Sequence, residues 1–360
     1  MKVKLEDVCE RESSNLKQSD VIDKQGDYPV FGASGHIGNV DFYHQESSYV
    51  AVVKDGAGIG RTALYPAKSS VIGTMQYLLP KKNVLPEYLC YVVKYMHLEK
   101  YFSGATIPHI YFKEYKSEEF NLDSLDKQVK IVSILGKIEK VIQSRQKELK
   151  LLDELIKARF VEMFGDPISN PMEWPVKRLA EISLLITNGN TPKGGSENYV
   201  DKGIMFLRSQ NVWRNRIDLG DVAYIDETTH FAMEKSSVHN KDILITKTGR
   251  INTENSSLGR AALFHGKDNS ANINGHVYLV RLDGTMIPEY VVAILTGEPY
   301  RRYIRKVCVG GIDKRQINLD QVEDFPIILP PLELQKQFAN FVAQIDKLKV
   351  VVKLTENIAD

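Results

Sequence analysis

The sequence is poor in cysteine, in long apolar runs and in any excess of one charge. Three cysteines, Cys9, Cys90 and Cys308, lie far apart at no metal-ligand spacing. Neither a disulfide framework nor a structural zinc site is indicated. No apolar stretch approaches the ~20 residues of a membrane span. The opening MKVKLEDVCERESS lacks the apolar core of a signal peptide, so a cytoplasmic protein away from membranes is expected. Lys plus Arg number 47 against 46 Asp plus Glu, a net charge of +1. That balance excludes a uniformly basic coat and confines any nucleic-acid contact to local patches.

Catalytic signatures are missing as well. Gly136-Lys137 and Gly266-Lys267 lack the upstream glycine spacing and the following Ser or Thr of a phosphate loop. No Asn/Asp-Pro-Pro-Tyr/Phe adenine clamp occurs, and the eight histidines show no metal-ligand spacing. The run GAGIG at 56–60 follows a strand-like segment but leads into another, TALY. A hairpin fits it better than a dinucleotide site, which needs a helix there.

What is present is a repeat. In the first half the order is strand-like Tyr49–Val53, GAGIGRTALY at 56–65, LPEYLCYVV at 85–93, SGATIPHI at 103–110 and LDKQVKIVSILGKIEKV at 125–141. The second half has Asp242–Thr246, LGRAALF at 258–264, IPEYVVAIL at 287–295, VGGIDKRQI at 309–317 and LELQKQFANFVAQIDKL at 332–348. Gly60-Arg61 matches Gly259-Arg260 at an offset of 199, and Gln128 matches Gln335 at 207. A slowly drifting offset over five ordered blocks is a genuine internal duplication.

Between the halves runs a heptad seam without proline: Ile131, Leu135, Ile138, Ile142, Arg145, Leu149, Leu152, Ile156, Arg159 and Met163. Steps alternating four and three predict one coiled-coil helix over 125–164, roughly 60 Å long at ~1.5 Å per residue. Gly165-Asp166-Pro167 ends it. A second seam, Leu334, Phe338, Phe341, Ile345, Leu348 and Val352, predicts a matching helix about ten residues shorter. The expected segments are 1–122 and 166–330 as globules, 123–165 and 331–360 as helices. Pro86–Phe102 and Pro288–Val307 read as helices opened by proline. The fold class is α+β: two α/β globules, each followed by a long helix, the helices pairing antiparallel.

Candidate binding residues are local. RSQNVWRNR at 208–216 sets Arg208, Arg214 and Arg216 among Gln210, Asn211 and Asn215. Arg suits guanine edges and Asn or Gln adenine edges; a polar surface turn is the plain alternative. Lys247, Arg250 and Asn252 form a similar group. Residues 301–315 hold six basic residues, Lys314 and Arg315 among them, against one acidic residue, a density suited to phosphate, or simply a solvated helix face. The first-half counterparts are Lys54, Arg61, Thr106 and His109.

SGATIPHI, LDKQVKIVSILGKIEKVI, KLLDELIKARFVEMFGDP at 150–167, FPIILPPLELQKQFANFVAQID at 325–346 and the GRTALY/GRAALF pair resemble the specificity subunit of type I restriction-modification systems. The resemblance covers essentially the whole chain. It implies two target-recognition domains, each reading one half of a bipartite double-stranded DNA site. It implies helices that set the domain spacing and dock two methyltransferase subunits, with restriction/translocase subunits joining. The chain itself would have no catalytic, cofactor or metal site; S-adenosylmethionine, ATP and magnesium would belong to the partners. The short second helix departs from the pattern, so a partly active or silent variant is the alternative. A stand-alone DNA-binding protein and a coiled-coil scaffold are two further ones.

Overall fold

The computed structural model describes residues 1–22, 24–103, 108–253 and 255–356. The chain divides into two compact units, 1–144 and 145–360, with the boundary inside the long helix.

The duplication is visible strand by strand. In the first unit a four-stranded antiparallel sheet runs in the order Cys9–Ser13, Met75–Pro80, Tyr49–Val53, Thr62–Tyr65. The second has the same order in Ser183–Asn188, Val277–Leu282, Ile243–Thr246, Ala261–Leu263. Each unit adds a three-stranded sheet whose middle strand pairs antiparallel on one side and parallel on the other. Those middle strands are Tyr28–Gly32 and Ile204–Leu207. Each is closed by a pair joining its beginning to its end: Lys2–Lys4 with Glu119–Asn121, and Val176–Arg178 with Pro326–Ile328.

The central strands are rich in β-branched residues and buried along their whole length: YVAVV at 49–53 and ILIT at 243–246. Such runs suit a sheet covered on both faces. GAGIG is the loop of a hairpin, as its sequence predicts, Tyr49 to Val52 pairing with Tyr65 to Thr62. Gly60 and Gly259 take φ of +80° and +65°. At Gly60 a Cβ would stand 2.6 Å from the Glu99 amide nitrogen, so only glycine suits that turn.

The two proline-opened helices are shorter than their sequences predict. Pro86–Tyr95 stops before a 3₁₀ turn at Leu98–Tyr101. Pro288–Thr296 is broken from Glu298–Val307 by Gly297-Glu298-Pro299, since proline cannot extend the preceding helix. Each begins on a glutamine of the following long helix. Gln128 Oε1 accepts from the Leu85 amide at 2.9 Å, while its Nε2 donates to the Asn83 and Asp123 carbonyls. Gln335 Oε1 accepts from Ile287 at 3.0 Å, and its Nε2 donates to the Pro330 carbonyl at 2.9 Å.

The central helix spans Leu125–Phe164, 40 residues, and Gly165 ends it at φ +74°. Leu135, Ile138, Ile142, Leu149 and Leu152 are half-buried along it. At its ends the seam joins the globular cores: Ile131 and Val132 pack on the first, Ile156, Phe160, Met163 and Phe164 on the second. The distal helix Leu332–Glu356 runs antiparallel to the last turns of the central helix. Phe338 meets Phe160 and Phe164 edge-on at 5.5 and 5.7 Å, and eleven residues on Lys349 Nζ meets Asp153 Oδ1 at 2.7 Å. Phe338, Ile345 and Val352 are buried and Phe341 half-buried, but Leu348 is 52% exposed. The seam passes through Val342 and Lys349 instead, the stem of Lys349 lying inward while its ammonium reaches Asp153.

No helix among the described residues is long and apolar enough to cross a membrane.

Candidate nucleic-acid interface

In the second unit the central strand Ile243–Thr246 delivers the chain to Lys247, whose carbonyl accepts from the Ile317 amide at 3.0 Å. The basic segments around 247–257 and 309–317, distant in sequence, thereby become one surface. Thr248–Arg250 pairs with Lys314–Gln316, and Val309–Gly310 adds a third strand. Arg250 and Lys314 are register partners, so their side chains leave the same face of the sheet. Beside them lies an open polar hollow of about 440 Å³ lined by Thr248, Arg250, Thr253, Ser256, Ser257 and Lys314, among others. Arg250 meets Asp313 at 3.3 Å, and Arg315 Nε donates to the Gly311 carbonyl. Asn252 is exposed nearby, and Lys247 Nζ stands 5.7 Å from the Tyr278 ring centroid. The hairpin tip carries Ile312, 89% exposed. Among the described residues its lining holds two cations, four hydroxyls and no carboxylate, which suits phosphate and base edges.

The first unit repeats the backbone contact: the Lys54 carbonyl accepts from the Ile110 amide at 3.0 Å. Here, however, the charges face one another. Lys54 Nζ lies 2.5 Å from Asp55 Oδ2, and His109 Nδ1 is 2.7 Å from Asp55 Oδ1. Burial alone would raise the Asp55 carboxyl, but Lys54 and His109 hold it below the usual carboxylate range. Arg61 lines a separate cleft of about 530 Å³ with Tyr65, Lys94 and Glu99. Thr106 lies outside the described residues.

The segment 208–221 corrects part of the sequence reading. Asn211 is 1% exposed. Its Oδ1 accepts from the Arg208 amide, and its Nδ2 donates to the Asp218 and Asp221 carbonyls, each at 2.9 Å. A base edge has no access to that amide. Arg208 donates to the Asp221 carbonyl at 2.7 Å and pairs with its carboxylate at 3.2 Å; Gln210 donates to the same carboxylate at 3.0 Å. Those bonds hold Asp221 below the ordinary carboxyl range. Asn211 is thereby built into the loop, the plain alternative for this stretch, while Arg208 and Gln210 bond to Asp221 at its surface. Arg214 and Arg216 project beyond it, on the hairpin Val212–Trp213/Arg216–Ile217. Sequence reasoning passed over Arg260, which entered only as a repeat marker, although its guanidinium stacks 3.9 Å from the Trp213 ring centroid. The lone tryptophan between arginines was the available signal.

Among the described residues no cluster of three or more His, Cys, Asp or Glu is placed to hold a metal ion.

A family model described as the type I restriction modification DNA specificity domain matches residues 1–154 and 171–358. Three specificity subunits of Methanocaldococcus jannaschii type I restriction enzymes are similar. The putative MjaX subunit is 26% identical over 179 residues, covering 49% of this chain and 40% of that protein. The MjaIX subunit is 23% identical over 311 residues, covering 79% and 68%. The match thus spans less than half of the first relative's length. Among solved structures, the S subunit of a type I restriction-modification system from M. genitalium superposes with a TM-score of 0.62 at 14% identity, over 100% of this chain and 92% of that one. A chain from the structure of a type I restriction-modification assembly gives 0.53 at 14%, over 100% and 94%. These two share the fold.

Proposed function

The chain belongs to the type I restriction-modification DNA specificity family, and on that premise we propose that it is the sequence-reading subunit of such a system. Each unit reads one half of a bipartite duplex site. The observation that bears most on this is the twofold repetition of one sheet topology, each copy ending its central strand at a basic residue, Lys54 or Lys247. In the second unit Arg250 and Lys314 line the polar hollow that meets the DNA, with Lys247, Asn252 and Arg315 on the segments that border it. In the first, Lys54 and His109 occupy the corresponding edge, and Arg61 lines the separate cleft. Arg reads guanine bidentately, and the Ser and Thr hydroxyls bond to either base.

The chain supplies recognition and no catalytic group. Methyltransferase subunits dock on the helices and bring S-adenosylmethionine; restriction subunits bring ATP and magnesium. The test is methylome sequencing of a host expressing this chain with a methyltransferase subunit of the same system, against a control lacking the chain. A bipartite methyladenine motif that disappears in the control is the expected result. No motif, with both proteins present and assembled, would sink the reading.

A further inference from the structure

In the second unit two arginines stand over Trp213, and three more gather at the adjoining hairpin turn and helix. Trp213 and Arg216 are register partners in the short hairpin, with the Arg216 guanidinium 5.2 Å from the ring centroid. Arg260 stacks closer, at 3.9 Å, and is 8% exposed. Its Nε donates to the Ser256 carbonyl at 3.1 Å and its Nη2 to the Asn255 carbonyl at 2.5 Å. Ser256 and Asn255 line the polar hollow, so Arg260 ties the tryptophan to that hollow.

Arg214 and Asn215 form the hairpin turn, and Asn215 takes φ +58°. Asn215 Oδ1 accepts from Thr296 Oγ1 at 3.1 Å. That bond pins the turn beside the start of the helix Glu298–Val307. Arg301 and Arg305, one helical turn apart, lie on one side of this helix. Burial and the like charge of Arg301 press the Arg214 guanidinium below the usual arginine range, Glu298 opposing and Arg260 and Arg305 adding. Among the described residues two carboxylates pair with the five cations: Glu298 with Arg301 at 2.9 Å and Asp218 with Arg216 at 4.0 Å. Arginines so crowded repel one another unless an anion sits among them.

We propose that this cluster is the phosphate grip of the second unit. Arg214, Arg216, Arg301 and Arg305 hold the DNA backbone whatever its sequence, and Trp213 with Arg260 position them. The inference rests on the DNA-reading function proposed above and divides its labour: the hollow reads, and the arginines hold. Planar guanidinium groups suit phosphate oxygens bidentately.

The test uses the full chain assembled with its methyltransferase subunit and two duplexes, one carrying the methylated motif and one scrambled. Affinity is measured across a salt series. The double variant Arg214→Gln/Arg305→Gln is expected to weaken both duplexes by the same factor, about tenfold or more at low salt. The slope of log affinity on log salt flattens by about two, since each phosphate contact contributes ~0.9. The methylated motif stays the same. Arg214→Lys/Arg305→Lys retains the slope and controls for folding.

Three results would overturn the grip: an unchanged slope, a loss confined to the motif duplex, or intact DNA binding with the methyltransferase subunit lost. The last would mean that the arginines face an acidic protein surface. Wild-type complex that binds neither duplex overturns the DNA reading itself, which separates the two failures.

Discussion

Gln128 and Gln335 show how much one side chain does in this fold. Each is buried, 0% and 2% exposed, and each uses its carbonyl to cap a helix that begins Pro-Glu-Tyr. Its amide nitrogen satisfies a carbonyl at the start of its own helix. Replacing Gln335 with Ala strips a buried amide and a buried carbonyl of partners, at about 1–3 kcal/mol each. Gln335→Ala should therefore lower the stability of the second unit by about 2–6 kcal/mol, read from the denaturant midpoint; a change below ~0.5 kcal/mol would mean that water replaces both bonds. The sequence marks this pair, since the two glutamines fall at the repeat offset. It does not show what they bond, because a cap from another element leaves no local pattern. The same blindness affected Asn211. A polar residue among arginines resembles a base reader, but Asp218 and Asp221 close on it from seven and ten residues away.

At the scale of elements, periodicity was the legible quantity. The central helix falls where its heptads predict because forty residues repeat one rule. The distal helix is harder, since Lys349 stands at a seam position that a hydrophobicity pattern rejects, while Leu348 points outward. The hairpin at 212–217 and the three-stranded sheet of 248–250, 309–310 and 314–316 escaped sequence reasoning. Strands of two or three residues are too short for any period to register. If each unit reads one half-site as proposed, the continuous central helix is the ruler that sets the spacer between them. One heptad inserted at position 145 keeps the seam in phase and adds roughly 10 Å. The unspecified spacer of the methylated motif should lengthen while both half-sites stay the same. Methylome sequencing of that variant checks it, and an unaltered spacer refutes the ruler.

On the scale of the whole molecule, the duplication was legible as an ordered repeat of strand and helix blocks, whereas the sheet topology and the charges lining each site were not. Equivalent backbone contacts at Lys54 and Lys247 lie beside opposite arrangements, a closed Lys-Asp-His group in one unit and an open basic hollow in the other. Both cores are rich in buried tyrosine, which sets their alkaline limit. Tyr49, Tyr115, Tyr290 and Tyr300 are 0% exposed, and burial raises each phenol; Tyr278 is pushed up to about 12. A tyrosine whose folded pKa is raised binds its proton more tightly in the native state than in the unfolded chain, where it titrates near ~10. Its stabilisation is complete below that pH and fades as pH rises above it. The thermal midpoint should hold to about pH 10 and then fall steeply, with tyrosinate absorbance appearing together with unfolding. Ionisation of these tyrosines in protein that stays folded would contradict this.

The strand pairs that join the first and last residues of each unit also set a timetable for synthesis. Lys2–Lys4 must wait for Glu119–Asn121, and Val176–Arg178 for Pro326–Ile328. On the ribosome neither unit closes its edge until almost its entire length has emerged. The second closing strand follows the first by 207 residues, Asn121 to Ile328. At ~5–20 residues per second that delay is about 10–40 s. During that interval the first unit can stand finished while the second is still an open chain, so a slow ribosome leaves the copy nearer the C-terminus exposed to proteases and to aggregation.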